Sequence, residues 1–281
     1  MSEPFFTIVI ANYNYGRFID EAIQSVLKQS CQDFELLVVD GDSNDNSVEV
    51  IKKYENHIAW WCSEKDRGQS HAINKGFAKA RGKFLTWLNA DDLLLPRTLE
   101  NAKAKLLQNP ESRWLTGNFF RFLIDGTIVE CKWGPHFLPP FLQHPSAPIV
   151  VFGPTSFFAR SLIEEFGGLD EDVCAHHSMD TDLWLRFMAN NVLQIRLNHY
   201  CWGFRMHEKS KTAEFSGHKV CEQQRDYYKK TGDKVFEKNA YTPSKIIRVA
   251  QLIWRVLDGS LAVMLFINIF LKKEKFNRYF G

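Results

Sequence analysis

Phe84-Leu85-Thr86-Trp87-Leu88-Asn89-Ala90-Asp91-Asp92 begins as an apolar run and ends in two adjacent carboxylates. A strand covered on both faces reads as a near-continuous apolar run, so this stretch predicts a buried strand over Lys83–Leu88. Its polar end belongs where the chain leaves the sheet for a loop. Two neighbouring carboxylates repel each other unless a cation or hydrogen-bond donors neutralise them. Hard oxygen donors suit Mg2+ or Mn2+, which would also hold a phosphate of a bound substrate. The competing reading is a solvated Asp cap ahead of Leu93, because Asp is favoured at helix starts.

Upstream of that run, strand and helix patterns alternate. Phe6–Ala11, Glu35–Asp40 and Ile58–Cys62 read as strands. Ile19–Gln29, Ser47–Tyr54 and Gln69–Ala80 read as helices. Alternation of this kind implies an α/β fold with a mainly parallel sheet and helices on both faces. Ligands of such sheets gather outside the carboxyl ends of the strands. Asn12-Tyr13-Asn14, Asp40-Gly41-Asp42-Ser43 and Asn89–Asp92 all fall at those ends.

Downstream, Trp114–Pro154 is irregular and rich in Pro and aromatics, which predicts strands and long loops lining a cleft. Trp133, His136, Phe137 and Trp202 fall in or near it, where rings could line the cleft or fill the core. Ser156–Arg160 reads as a strand, Asp180–Asn190 as a helix and Gln194–Arg205 as a further strand. Three parts follow: 1–113, 114–212 and a helical extension over 213–281.

Composition narrows the class. The chain has 281 residues, enough to bury a sizeable core. Its 35 basic and 33 acidic residues leave a formal charge of +2, which gives no support to nucleic-acid binding. Six scattered cysteines without a CxxC pair, behind an N-terminus lacking a basic leader, point to a reducing cytoplasmic setting.

The tail has its own character. Arg248, Gln251, Arg255 and Asp258 form one narrow polar stripe in an otherwise apolar segment. Leu261–Leu271 is apolar apart from Asn268, and Lys272, Lys273, Lys275 and Arg278 follow. The run is too short to span a bilayer. Such a helix suits a peripheral position on the inner face of the cell membrane, or packing on the body or a second copy.

Taken in order, Thr7–Asn14, Leu37–Ser43 and Trp87–Asp92 resemble the nucleotide-sugar-binding half of family 2 glycosyltransferases with the GT-A fold. Asp66-Arg67-Gly68-Gln69-Ser70 and Ala72-Ile73-Asn74-Lys75-Gly76, between them, resemble bacterial enzymes that build surface polysaccharides. The resemblance covers roughly residues 5–212. It implies a Rossmann-like GT-A domain carrying the C-terminal helical extension. It also implies a metal-dependent, inverting transfer from a nucleoside diphosphate sugar, UDP-type favoured, to a carbohydrate or lipid-linked acceptor.

The resemblance assigns roles residue by residue. Asp40 accepts a hydrogen bond from the base ring, unless it serves as a turn cap. Tyr13 offers that base a flat face, and the backbone at Ala11 adds polar contacts. Arg67 and Lys75 bring positive charge toward the phosphates, with Lys75 equally at home on a solvated face. Asp91 and Asn89 face the ribose or sugar, while Asp92 ligates Mn2+ or Mg2+. Asn89 stands where other members can carry Asp.

In the second half, His176–Arg186 resembles the start of the helix that carries the catalytic base. Asp180 takes that place, with Asp182 as rival and Met179 where the family often has Glu. His176 and His177 are adjacent and so are poorly disposed to share one ion. Phe204-Arg205-Met206-His207, with Ser210-Lys211-Thr212, resembles the closing segment. There His207 either completes the metal shell or serves as a structural histidine. Two other functions compete: a non-catalytic sugar-nucleotide-binding subunit and a nucleotidyltransferase. The latter would need Gly repeats that Asn12–Arg17 lacks.

Overall fold

The computed structural model of the chain describes residues 3–134, 153–172, 179–208, 210, 245–271 and 274–275. Its centre is one nine-stranded sheet. β1 (Phe6–Asn12), β2 (Phe34–Asp40), β3 (Trp60–Ser63) and β4 (Phe84–Asn89) run parallel in the order β3-β2-β1-β4. They are joined through α1 (Ile19–Leu27), α2 (Ser47–Lys52) and α3 (Gln69–Lys79). Every residue of β1 is buried, as a central strand covered on both faces requires.

Beyond β4 the sheet turns mixed. β5 (Leu93–Leu94) precedes α4 (Thr98–Leu107), followed by β6 (Trp114–Leu123) and β7 (Ile128–Lys132). Then come β8 (Ser156–Ala159), α5 (Arg160–Phe166), α6 (Met179–Ala189) and β9 (Ile195–Met206). β8 is antiparallel to both β4 and β6, and β9 is parallel to β6. Two antiparallel steps restore the direction, so β9 ends at the same edge of the sheet as β4. The parallel character expected of the sheet thus belongs to its first four strands. The first seven residues of β6 are buried, which makes it sheet interior rather than a cleft lining. Its aromatic richness reflects packing on both faces.

One stack fixes the second half on the first. The Trp184 ring of α6 lies between Trp87 of β4, at 5.8 Å and 12°, and Trp114 of β6, at 5.1 Å and 19°. All three are buried. Of the aromatics expected near a cleft, Trp202 is buried beside Phe119 and Phe204, and Trp133 packs on Tyr200. His136, Phe137, His176, His177, Lys211 and Thr212 lie outside the described residues.

α7 (Lys245–Leu257) and α8 (Ser260–Leu271) close the chain. β7 is an edge strand, with open backbone groups that need a cover. Asn268, the polar residue noted in the apolar α8, supplies part of it. Its Nδ2 donates to the Cys131 carbonyl at 2.9 Å, and its Oδ1 accepts from the Cys131 N–H at 2.9 Å. Among the described residues, no single helix is long and apolar enough to cross a membrane.

Candidate active site

The carboxyl ends of β1, β2 and β3 are tied together by short polar side chains. Asp40 is fully buried and accepts from Asn12 Nδ2 at 2.6 Å, Ser43 Oγ at 2.5 Å, Ser43 N at 3.0 Å and Ser63 Oγ at 2.6 Å. Four donors are thus shared between its two oxygens in this arrangement. Without a ligand, Asp40 holds the turns after β1, β2 and β3 together. Asn14 continues the clasp, donating its N–H to Ser43 Oγ and accepting from the Asn44 N–H.

A different carboxylate faces the exposed ring. Tyr13 is 58% exposed. A methyl group added at Gly41 would lie 2.6 Å from Asp66 Oδ2 and 3.3 Å from Tyr13 Cδ2, so Gly41 allows these two groups to approach. Asp66 Oδ1 accepts from the Gly68 N–H at 2.8 Å, where φ of 116° requires glycine. The sequence reading gave Asp66 no role. Its place just past β3, in a turn ended by glycine, was the signal available. Ala11 stands at the end of β1, in register with Asn89. The Arg67 guanidinium pairs with Glu171 and lies at the 167–171 loop rather than among these groups. Lys75 pairs with Glu64 at 2.9 Å.

At the end of β4 the two aspartates part company. Asp92 is fully buried. Its Oδ1 accepts from the Arg205 N–H at 2.9 Å and its Oδ2 from Asn89 Nδ2 at 2.8 Å. Burial, reinforced by Asp91 beside it, pushes its carboxyl well above the usual carboxylate range. Asn89 is occupied as well, since its Oδ1 accepts from Gln69 Nε2 at 2.6 Å. Asp91 instead sets Oδ2 3.0 Å from His207 Nε2. The His207 ring rests on Phe18 at 4.9 Å and meets the edge of Tyr15 at 5.6 Å. Asp92 thus braces the loop, and Asp91 converges with His207.

Arg205 locks this corner, a role the sequence reading did not give it. Its Nε donates to the Asp91 carbonyl at 2.8 Å and its guanidinium to Glu21 at 2.5 Å. The same group lies between the rings of Phe18 and Phe122, 5.0 and 4.9 Å from their centroids. A charge in a strand otherwise reading Tyr200-Cys201-Trp202-Gly203-Phe204 was its signal. Arg205→Met should lower stability by about 2 kcal/mol, from lost hydrogen bonds and ring contacts. Arg205→Lys should recover only part, since one ammonium cannot reach in three directions. Urea denaturation of the two variants measures both.

Asp180 sits in the first turn of α6, half-buried, and accepts from the Thr181 N–H at 2.7 Å. The Gly153 N–H also favours its anion, but burial outweighs both and raises its pKa. Asp182 is buried and paired with Arg186 at 2.8 Å, and Arg186 also donates to the carbonyls of Phe166 and Gly168. α3 bridges the halves. Ser70 Oγ reaches Met179 Sδ at 3.3 Å, and Asn74 clamps both the N–H and the carbonyl of Leu169.

The donors present fit a small divalent cation. Asp91 and His207 offer one hard oxygen and one imidazole nitrogen, a set that suits Mn2+. Among the described residues, no group of three or more His, Cys, Asp or Glu side chains could hold an ion. A cation there would complete its shell with water and substrate phosphate, as Mg2+ and Mn2+ commonly do.

A family profile described as Glycosyl transferase family 2 matches residues 7–166, more than half of the chain. An uncharacterised glycosyltransferase of Nostoc is 38% identical over 97 residues, covering 34% of this chain and 30% of that protein. The Escherichia coli protein WfgD is 27% identical over 212 residues, covering 75% of this chain and 80% of its own. Its name is UDP-Glc:alpha-D-GlcNAc-diphosphoundecaprenol beta-1,3-glucosyltransferase. Among solved structures, S. aureus TarS in complex with UDP-GlcNAc superposes with a TM-score of 0.65 at 17% identity, over 94% of this chain and 77% of that one. A Pyrobaculum calidifontis mannosyltransferase in complex with GDP-Man and Mn2+ gives 0.61 at 20% identity, over 96% and 82%. At such identities the likeness speaks for the fold.

Proposed function

The chain belongs to Glycosyl transferase family 2, and from that premise we propose that it moves one sugar from a nucleoside diphosphate donor to a carbohydrate hydroxyl, inverting the anomeric centre. The observation that carries the reading is the convergence of Asp91 with His207 at the carboxyl edge of the sheet, 3.0 Å apart. Asp180 begins the neighbouring helix, linked to that edge through Ser70 and Asn89's partner Gln69. The base of the donor lies on Tyr13, and Asp66 accepts from its ring N–H. A uridine donor is favoured, since WfgD is named for UDP-Glc. That relative's diphosphoundecaprenol substrate supports a lipid-linked saccharide as acceptor.

Asp91 and His207 would hold Mn2+ or Mg2+, which supplies Lewis-acid stabilisation of the leaving diphosphate. Asp180 accepts the acceptor's hydroxyl proton as the new C–O bond forms at the anomeric carbon. A single base suffices, because no covalent sugar–enzyme bond is required. Asp92 keeps the Asp91 backbone in place through Arg205 and Asn89.

The division between the aspartates is testable by thermal shift with UDP, with and without Mn2+. A ligand that binds only the folded state raises the melting temperature according to its affinity. Asp91→Asn should abolish the Mn2+-dependent part of the shift. Asp92→Asn should retain it, while lowering stability by about 1–3 kcal/mol through a mispaired buried amide. A metal-dependent shift that survives in Asp91→Asn and disappears in Asp92→Asn would return the ligand role to Asp92.

A further inference from the structure

α8 has two faces with opposite fates. Ile267 and Leu271 pack into the small core of Phe120, Phe122, Ile128 and Tyr200, and Asn268 is clamped to β7. The chain just beyond is also pinned, with the Glu274 carbonyl accepting from the Ile128 N–H at 2.8 Å. The other face is bare. Among the described residues, nine of the thirteen exposed large apolar side chains lie between Val249 and Phe270. Leu257 and Ile269 are 73% and 75% exposed. α7 and α8 meet at 76° across Gly259, and neither alone is long and apolar enough to cross a membrane.

We propose that this outward face of α7 and α8 is a docking surface for an anionic lipid bilayer, in which the two helices lie in the headgroup plane. Charge argues for that occupant. Residues 245–281 hold seven basic and two acidic residues, a charge of +5, whereas the whole chain carries +2, leaving −3 for the remainder. An anionic surface therefore attracts the tail and repels the body, which orients the molecule as well as holding it. Lys272 and Lys273 directly follow the apolar helix, the order expected of a segment with apolar side chains in the acyl boundary and ammonium groups among headgroups. Lys275 is one of the seven, but its ammonium pairs with Asp125 at 2.6 Å, so it adds to the net charge and not to headgroup contacts. Arg255 donates to the Trp133 carbonyl, which ties α7 to the body as Asn268 ties α8. Both helices are thus fastened to the body. The inference is independent of the donor, metal and base assigned above.

Flotation of the full chain with vesicles tests it. The protein should float with vesicles of equal parts phosphatidylcholine and phosphatidylglycerol, float less with phosphatidylcholine alone, and be released in part by high salt. Leu257→Glu with Ile269→Glu should weaken that partitioning by at least about tenfold. Both side chains are already in water, so the melting temperature by circular dichroism should not change. Lys272→Glu with Lys273→Glu should remove the preference for phosphatidylglycerol. Failure of the parent chain to float, or flotation of the Leu257/Ile269 variant at parent level, would overturn the proposal. So would a dimer in light scattering that the same two changes split into monomers, because a second copy would then be the occupant.

Discussion

Asp180→Asn is expected to lower the transfer rate by about 10²–10⁴-fold, the usual range for loss of a general base, while leaving nucleotide binding intact. The substitution keeps size and shape but cannot accept the hydroxyl proton. Unfolding does not confound the test, because the sign of the linkage runs the other way. Burial raises the Asp180 pKa in the folded state, so the folded protein holds that proton more tightly than the unfolded chain. Stability owed to this group therefore falls as pH climbs from the unfolded value through the raised one. At neutral pH the Asn variant should melt no lower than the parent. The same shift sets the pH profile: activity should fall on the acid side at a pH above the ordinary carboxylate value. That limb should be absent from the residual activity of Asp180→Asn. Turnover near the parent level in the variant would remove Asp180 from the mechanism.

The second large effect is on stability. Trp184→Ala deletes the middle ring of three stacked indoles and should destabilise the chain by about 3–5 kcal/mol, as large aromatic-to-alanine changes in cores do. Trp184 also carries a buried indole N–H with no hydrogen-bond partner among the described residues. Trp184→Phe loses some contact but removes that unpaired donor, so it should cost about 1 kcal/mol or less. The function should follow the geometry. Trp184 is four residues along α6 from Asp180, and loosening the helix should lower turnover more than UDP binding, which we propose to rest on β1 to β4. Chemical denaturation and single-turnover transfer measure the two halves of this expectation. A loss below about 1 kcal/mol for the alanine variant would show that the stack does not fasten α6.

Most of the fold was legible because its signals are local. The apolar runs of β1, β2 and β4 and the spacing of α1 and α3 need only neighbouring residues to be read, and their observed bounds fall within two residues of expectation at nearly every end. β6 was harder. Its run Trp114–Leu123 mixes aromatics with Gly117, Asn118 and Arg121, and only partners on both sides make it a sheet interior. Asn268 was visible as an exception in an apolar helix, but its reason is a pair of hydrogen bonds to a strand 137 residues away.

What the sequence by itself determined is the place of the chemistry: polar clusters after strands of an alternating α/β half, with an aspartate-led helix and a histidine-ended strand downstream. Strand and helix periods dictate that placement, and they act over a few residues. What only the tertiary structure decided is which partner each polar group takes. Asp91 and Asp92 lie in the turn between β4 and β5, where their side chains take different partners. Which of them turns inward depends on the Arg205 N–H, brought by β9 from 113 residues away. Asp40 is withdrawn for the same kind of reason, since Asn12, Ser43 and Ser63 reach it only once three strands lie side by side. A buried carboxylate collects donors until its oxygens are satisfied, and those donors come from strands that only the folded sheet brings together.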